Sequence, residues 1–179
     1  MPLPILTIPS PILRRKSVAV KAVDKKILKF IANLEETLVQ KKRPKGVGLS
    51  APQVGKLWRI FLTYLPKGKN PAIQVFINPQ IIAVAKKLTL GPNPKKPILE
   101  GCLSIPGIYG PVWRHQWLKL QWLEPSGQTL VAKFSAFPAR VIQHELDHLD
   151  GILFTDRAVT DKLPLYQEKA DQLVPISLA

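Results

Sequence analysis

The chain of 179 residues contains 26 Lys and Arg against 12 Asp and Glu, a formal net charge of +14. Apolar residues make up 46% of it, which excludes a generally disordered chain, and its length suits one domain over residues 1–179. No apolar run approaches the roughly 18 residues that span a bilayer, and no secretory signal is visible. The single cysteine, Cys102, cannot form an internal disulfide and indicates a reducing compartment. We therefore expect a cytoplasmic protein without membrane contact.

The positive charge is concentrated in one part of the chain. Residues 1–99 contain 19 basic and 3 acidic side chains, whereas residues 100–179 contain 7 and 9. Such a basic segment is typical of proteins that bind a polyanionic partner such as nucleic acid or a ribosome. A basic surface that only confers solubility explains the same charge equally well.

Proline limits where long helices can form, because a proline inside a helix costs about 3 kcal/mol. The first long proline-free stretch, residues 12–43, repeats apolar residues at helical spacing over 27–38. Asp24 suits the N-cap of this helix, and the basic residues 41–43 suit its C-terminal end. The pattern predicts an N-terminal amphipathic helix.

The middle of the chain is predicted to form strands, because it is rich in β-branched and aromatic residues, which favour strands. These strands are expected at 57–64, 73–77, 116–123 and 128–135. Residues 124–127, Glu-Pro-Ser-Gly, place Pro and Gly where a type I turn takes them. Residues 86–97 are basic and Pro-rich and predict a surface loop. Most of the four tryptophans, at positions 58, 113, 117 and 122, are expected in the core of the sheet.

A second helix is predicted in the other long proline-free stretch, residues 139–163. Ile142, Leu146 and Leu149 form an apolar stripe, and Gly151 suits the helix end. A weaker helical pattern covers about 161–173. The order helix, strands, helix predicts a single α+β domain, with antiparallel or mixed β-sheets around this second, central helix.

That central helix carries an H-E-x-x-H motif. His144 and His148 are four residues apart, so both imidazoles can face one metal ion. Glu145 lies beside them, where it can take a proton from water bound to that ion. Because the chain contains only 3 histidines, this spacing favours a metal site over chance.

A catalytic metal site normally has a third protein ligand. Phe154 stands where one metalloprotease pattern places its third histidine, so that pattern fails. Cys102, His115 and Glu168 remain as candidates. A thiolate is a softer and stronger ligand for zinc or ferrous iron than a carboxylate.

A glycine-containing segment, Gly46–Gln53, has the wrong spacing for a phosphate-binding loop. It suits a loop that exposes backbone groups to an extended substrate. The amide of Gln53 could then donate to an oxyanion.

These three motifs, in this order, resemble the peptide deformylases, which remove the formyl group from the N-terminal methionine of new polypeptides. The family motifs G-x-G-[LI]-A-A-x-Q, E-G-C-L-S and Q-H-E-x-D-H-L correspond to Gly46–Gln53, Glu100–Ser104 and Gln143–Leu149. Ser50 replaces a usual alanine. We expect its hydroxyl to find a backbone partner without changing the reaction.

The resemblance implies a metal centre formed by Cys102, His144 and His148. Ferrous iron (Fe2+) is the expected native metal, and Zn2+, Ni2+ or Co2+ could occupy the same site. The resemblance makes Glu145 the general base and then the general acid. Hydroxide on the metal would attack the formyl carbon and release formate.

The resemblance also implies residues that bind the substrate or support the site. Gln53 and the backbone N–H of Leu103 become oxyanion donors, Gly48 pairs with the extended substrate, and Val47 lines the methionine pocket. An ion pair is expected behind the cysteine loop, between Glu100 and Arg114.

The implied partner is an N-formylmethionyl nascent peptide. The charge makes the basic N-terminal half a candidate surface for association with the ribosome, and we expect a monomer. Two other functions remain open at this point. One is an H-E-x-x-H metallopeptidase with Glu168 as third ligand. The other is a basic nucleic-acid-binding module with a structural metal.

Overall fold

The computed structural model describes residues 1–41, 46–67, 70–93 and 95–176. In those residues the α-helices are α1 (Lys25–Gln40), α2 (Ala136–Leu149) and α3 (Phe154–Thr160). The strands are β1 (Gly48–Ser50), β2 (Ile60–Lys67), β3 (Asn70–Val84), β4 (Leu88–Thr89), β5 (Leu99–Cys102), β6 (Ile105–Pro111), β7 (Arg114–His115), β8 (Trp117–Leu123), β9 (Thr129–Ser135), β10 (Leu165–Lys169) and β11 (Gln172–Ile176). Within the same ranges, no helix is long and apolar enough to cross a membrane.

The strands form three sheets, and every pair of neighbouring strands in them is antiparallel. The largest sheet has the order β1-β2-β3-β8-β9, the second β11-β10-β6-β5, and the third contains β4 and β7. Strands β1 and β5 are therefore edge strands of different sheets. The architecture is a single α+β domain of helices packed on antiparallel sheets.

Helix α1 covers one face of the large sheet. Asp24 caps its start by accepting a hydrogen bond of 2.8 Å from the backbone N–H of Ile27, as predicted. Its apolar stripe, which includes Leu34, packs with Ile60 and Leu62 of β2 in one buried cluster. Lys41 follows the helix end; the other two basic residues expected there, Lys42 and Arg43, lie outside the described residues.

Helix α2 covers the opposite face of the same sheet. Successive side chains of a strand point to opposite faces, so Phe61 lies on the other side of β2 from Ile60 and Leu62. Phe61 and Trp122 are buried in a second cluster with Ile142, Leu146 and Leu149 of α2. This packing places α2 at the centre of the domain.

The helix predicted over about 161–173 is wrong, because strands β10 and β11 form a hairpin there. Ala170 and Asp171 connect the strands, and both have positive φ angles, 47° and 61°, as a two-residue hairpin turn requires. Strand β10 also pairs with β6 of the second sheet. The apolar spacing suited a short helix, but this pairing with a distant strand decides the conformation.

Two further predictions are corrected by the structure. Of the four tryptophans, only Trp122 is in the buried core, and Trp113 is 40% exposed. The segment 86–97 is not wholly a loop, because its β4 residues pair with β7. The predicted turn at 124–127 is present, with the backbone N–H of Gly127 donating to the Glu124 carbonyl at 2.9 Å.

Candidate metal centre

Helix α2 presents three side chains of the H-E-x-x-H motif to the interior. His144 and His148 are one turn apart, with ring centroids separated by 4.9 Å. Glu145 and His148 are both buried. The helical spacing therefore brings two imidazoles and one carboxyl group into a region with little water.

Cys102, at the end of β5, supplies the third group. Its Sγ lies 3.1 Å from Nε2 of His148. One possible ligand atom from each of Cys102, His144 and His148 lies within 4.8 Å of the other two, as sharing one ion requires. In the described parts of the chain, this is the one group of three such side chains that close together.

The thiol of Cys102 lies in an environment that favours its ionised form. Burial alone would raise its pKa, but the charges and hydrogen bonds of His148 and His144 hold the pKa well below its usual value. The backbone N–H of Ser104 also points to this sulfur, at 3.4 Å. A thiolate is the form of cysteine that binds metals.

Glu100 holds one of the histidines in place. Its Oε2 lies 3.0 Å from Nδ1 of His144, and the imidazole N–H donates to this carboxylate. Nε2 of His144 therefore remains for a metal, the arrangement found where a carboxylate orients a ligating histidine.

The predicted ion pair between Glu100 and Arg114 is present, and both side chains are buried. Arg114 donates from Nε to Oε1 at 2.9 Å and from Nη2 to Oε2 at 2.8 Å. Burial alone would raise the pKa of Glu100, but Arg114 holds it far below the usual range. The carboxylate stays charged and acts as an acceptor for His144.

Two members of this buried network are absent from the sequence-based set of site residues. Arg140 donates from Nη1 to Glu100 Oε1 at 2.8 Å, and Asp147 accepts from Arg114 Nη1 at 2.6 Å. Arg140 lies four residues before His144 on α2 and therefore shares its face. That spacing could have predicted the contact, because an arginine on the same buried helix face as a metal ligand needs an acidic partner.

Glu145 lies against the backbone of β1. Burial raises its pKa to about 7, although the nearby His144 and His148 oppose that increase. A Cβ atom on Gly48 would lie 2.3 Å from Oε1 of Glu145, so only glycine leaves room for this carboxyl group. The other oxygen, Oε2, is buried and has no hydrogen-bond partner among the described residues.

The amide of Gln53 faces the cysteine. Its Nε2 lies 3.2 Å from Oγ of Ser104 and 3.5 Å from Sγ of Cys102. Its Oε1 accepts 2.9 Å hydrogen bonds from the backbone N–H and the hydroxyl of Ser50. The hydroxyl of Ser50 thus donates to a side chain instead of the backbone partner that we expected.

A cavity of about 380 Å³ opens beside these groups. It is lined by Val47, Gly48, Gln53, Leu103, His144 and Glu145, among others. Arg114 and His148 are buried and do not line it. The predicted substrate-binding residues and the predicted oxyanion donors therefore share one cavity wall with the candidate base.

The alternative third ligands lie elsewhere. His115 Nδ1 is 2.6 Å from the carbonyl oxygen of Ala85, and Glu168 accepts a hydrogen bond from the Tyr109 hydroxyl at 3.3 Å. Neither side chain joins the cluster of possible metal ligands. The structure therefore brings Cys102 to the two histidines and leaves His115 and Glu168 apart from them.

The family model of the polypeptide deformylases matches residues 2–163. The chain belongs to this family. Peptide deformylases are hydrolases that act on formylated nascent peptides, so the chain is an enzyme of that class. The hairpin of β10 and β11 begins after the matched residues.

Comparison with individual peptide deformylases supports this assignment. The one from Desulforudis audaxviator is 39% identical over 156 residues, which are 87% of this chain and 93% of that protein. The crystal structure from Thermotoga maritima has 31% identity and a TM-score of 0.77, and the match covers 88% of this chain and 97% of that one. A class I type b enzyme from Acinetobacter baumannii, solved with Met-Ala-Ser bound, has 30% identity and a TM-score of 0.77, with coverages of 88% and 98%.

Proposed function

We propose that this chain removes the formyl group from N-formylmethionyl nascent peptides at a metal centre held by Cys102, His144 and His148. The observation that carries the proposal is their convergence, with ligand atoms within 4.8 Å of one another, beside a cavity that Cys102 and His144 line. Glu145 lines the same cavity. The Met-Ala-Ser complex of the Acinetobacter baumannii relative is consistent with a peptide substrate that begins with methionine.

The donor set suits a divalent transition metal. A thiolate and two imidazoles bind ferrous iron, zinc, nickel and cobalt, and we propose Fe2+ as the native ion. When bound, the ion would act as a Lewis acid toward water and the formyl carbonyl group. A set of three protein ligands is typical of catalytic sites, whereas a structural site has four.

Glu145 is proposed to move the protons of the reaction. With a pKa near 7, its carboxyl group can both accept and release a proton around neutral pH. It accepts a proton from the attacking water as the bond between water oxygen and formyl carbon forms. It then protonates the leaving amine as the carbon–nitrogen bond breaks, and formate leaves.

Gln53 and Leu103 are proposed to stabilise the oxyanion that develops on the formyl oxygen. Nε2 of Gln53 faces the Cys102 side of the cavity, and Leu103 follows the cysteine directly and lines the same cavity. Removing one such donor typically costs roughly 10²–10³ in rate. These donors act only on the charge that forms during the reaction.

The substrate is proposed to lie along the edge strand β1. Gly48 would pair with the extended peptide backbone, while Val47 helps to line the methionine pocket beside it. Glu100 and Arg114 support the site from behind by orienting His144. The chain would work as a monomeric single domain in the cytoplasm, where nascent chains emerge.

The experiment that tests this function is metal analysis with a formate-release assay on anaerobically purified protein. We expect about one equivalent of iron and formate release from formyl-Met-Ala-Ser, with no cleavage of an internal peptide bond. Cleavage of the internal peptide without formate release would favour a metallopeptidase and overturn the proposal.

The basic N-terminal half is proposed as a ribosome-docking surface. Lys25, Lys26 and Lys29 are exposed on α1 and supply part of its charge. Replacing these three lysines by glutamine should weaken cosedimentation with ribosomes and reduce its dependence on salt. The matched control replaces Lys119, Lys162 and Lys169, which lie outside that half. Binding that is independent of salt and survives the α1 substitutions would contradict the docking proposal.

A further inference from the structure

The residues of strand β1 face two different environments: one side chain faces the core, and two residues face the metal centre. Leu49 is fully buried in the cluster under α1. Because side chains alternate along a strand, Gly48 and Ser50 face the opposite side, where Glu145 and Gln53 lie. Ser50 is also fully buried, so its hydroxyl has no access to solvent.

Ser50 supplies both hydrogen bonds that Oε1 of Gln53 accepts. The backbone N–H and the hydroxyl each lie 2.9 Å from that oxygen. The opposite end of the amide then points Nε2 toward Ser104 and Cys102. Ser50 therefore determines which end of the Gln53 amide faces the cavity.

A flipped amide would be unfavourable in this environment. It would place the NH2 group of Gln53 against the backbone N–H of Ser50, and its carbonyl oxygen against the electron-rich sulfur of Cys102. The backbone N–H of Ser50 can only donate and therefore selects this orientation, whereas the hydroxyl can donate or accept and adds a second hydrogen bond that holds the amide in place. A side-chain amide without such support has a broad terminal torsion and loses orientation easily.

We propose that Ser50 is a positioning residue for the deformylation reaction, because its hydroxyl restrains the amide of Gln53 in the orientation that the backbone N–H selects, with Nε2 toward the cavity. The inference rests on the proposed role of Gln53 as an oxyanion donor. Donors that are already oriented stabilise the transition state without a cost of reorganisation during the reaction. The expected effect therefore falls on kcat and not on the binding of the methionine side chain.

The test combines single and double variants in a formate-release assay. Ser50→Ala should lower kcat about tenfold with KM unchanged, the loss expected for one buried neutral hydrogen bond. In a Gln53→Ala background the same substitution should change kcat less than twofold, because Gln53 accepts the hydrogen bond that the hydroxyl donates. A larger loss in that background would mean that the hydroxyl acts through Glu145, which the Ser50 side chain also contacts. Ser17→Ala is the matched control, since Ser17 is a buried serine outside the metal centre.

A second measurement reports orientation directly. The side-chain amide signals of Gln53 in a ¹⁵N-correlated NMR spectrum should shift or broaden in Ser50→Ala and stay unchanged in Ser17→Ala. Unchanged kcat and unchanged Gln53 signals in Ser50→Ala would overturn the inference, as would an equal loss of kcat in the Gln53→Ala background. Full activity of Gln53→Ala itself would instead refute the oxyanion role of Gln53, so the two failures are distinguishable.

Discussion

His144 donates a hydrogen bond from Nδ1 to Oε2 of Glu100 over 3.0 Å, and this contact joins the metal centre to a buried ionic network. Arg114 and Arg140 bind the same carboxylate group. The network therefore orients the candidate metal ligand His144 through the carboxylate of Glu100, whose charge the two arginines neutralise. Its members come from β5, β7 and α2, so the contact also ties these elements together.

Glu100→Gln should weaken metal binding and destabilise the fold. The amide accepts less strongly from His144 and leaves two buried arginines without their anionic partner. We expect a 10- to 100-fold loss of metal affinity, measured by competition with a chelator. The free energy of unfolding in urea should fall by about 3–5 kcal/mol. Glu36→Gln, an exposed position on α1, is the control, and an equal loss in both variants would argue against the network.

Cys102→Ser should lower the metal content sharply. The substitution replaces a soft thiolate by a hydroxyl that stays protonated, so the site keeps only two good ligands. Metal per protein should fall at least tenfold after dialysis, as measured by elemental analysis. His115→Ala should retain the metal, because His115 lies outside the cluster. The reverse pattern would make His115 the third ligand.

Glu145→Ala should abolish turnover while the metal remains bound. The carboxyl group is the proposed proton carrier but is not one of the three ligands. We expect kcat to fall by roughly 10²–10⁴, with metal content close to that of the wild type. A metal-loaded variant with full formate release would remove Glu145 from the mechanism.

Leu34→Ala should destabilise the protein much more than Leu28→Ala on the same helix. Leu34 is completely buried against the large sheet, whereas Leu28 is 41% exposed. Deleting the buried side chain leaves a cavity and should cost about 2–5 kcal/mol of unfolding free energy, compared with less than about 1 kcal/mol for the exposed one. Urea denaturation of both variants measures the difference, and equal losses would contradict the assigned burial.

The short-range features of this protein were predictable because neighbouring residues determine them. The apolar spacing from Ile27 onward, with Asp24 as cap, indicated α1, and the structure places a helix there. The four-residue spacing of His144 and His148 was enough to put two imidazoles on one helical face, since the helix repeats every 3.6 residues. The three motifs together indicated the family.

Long-range features could not be predicted from the sequence in the same way. The apolar positions over 161–173 fit a short helix as well as a hairpin, and pairing with β6 decided for the hairpin. The buried position of Arg140 depends on Glu100, which lies 40 residues away on β5. Local patterns contain no information about which distant group will satisfy a buried donor.

The third candidate ligand shows the same division. From spacing alone, Cys102, His115 and Glu168 remained open, and only the resemblance to the family selected the cysteine. Cys102 lies 46 residues before His148, yet its sulfur approaches that ring to 3.1 Å because β5 ends beside α2. The sequence alone determined the net charge of +14 and the four-residue spacing that puts His144 and His148 on one face of a helix. Tertiary packing alone decided which distant thiol, carboxylate and hydroxyl surround them, because those contacts depend on how sheets and helices meet and not on neighbours along the chain.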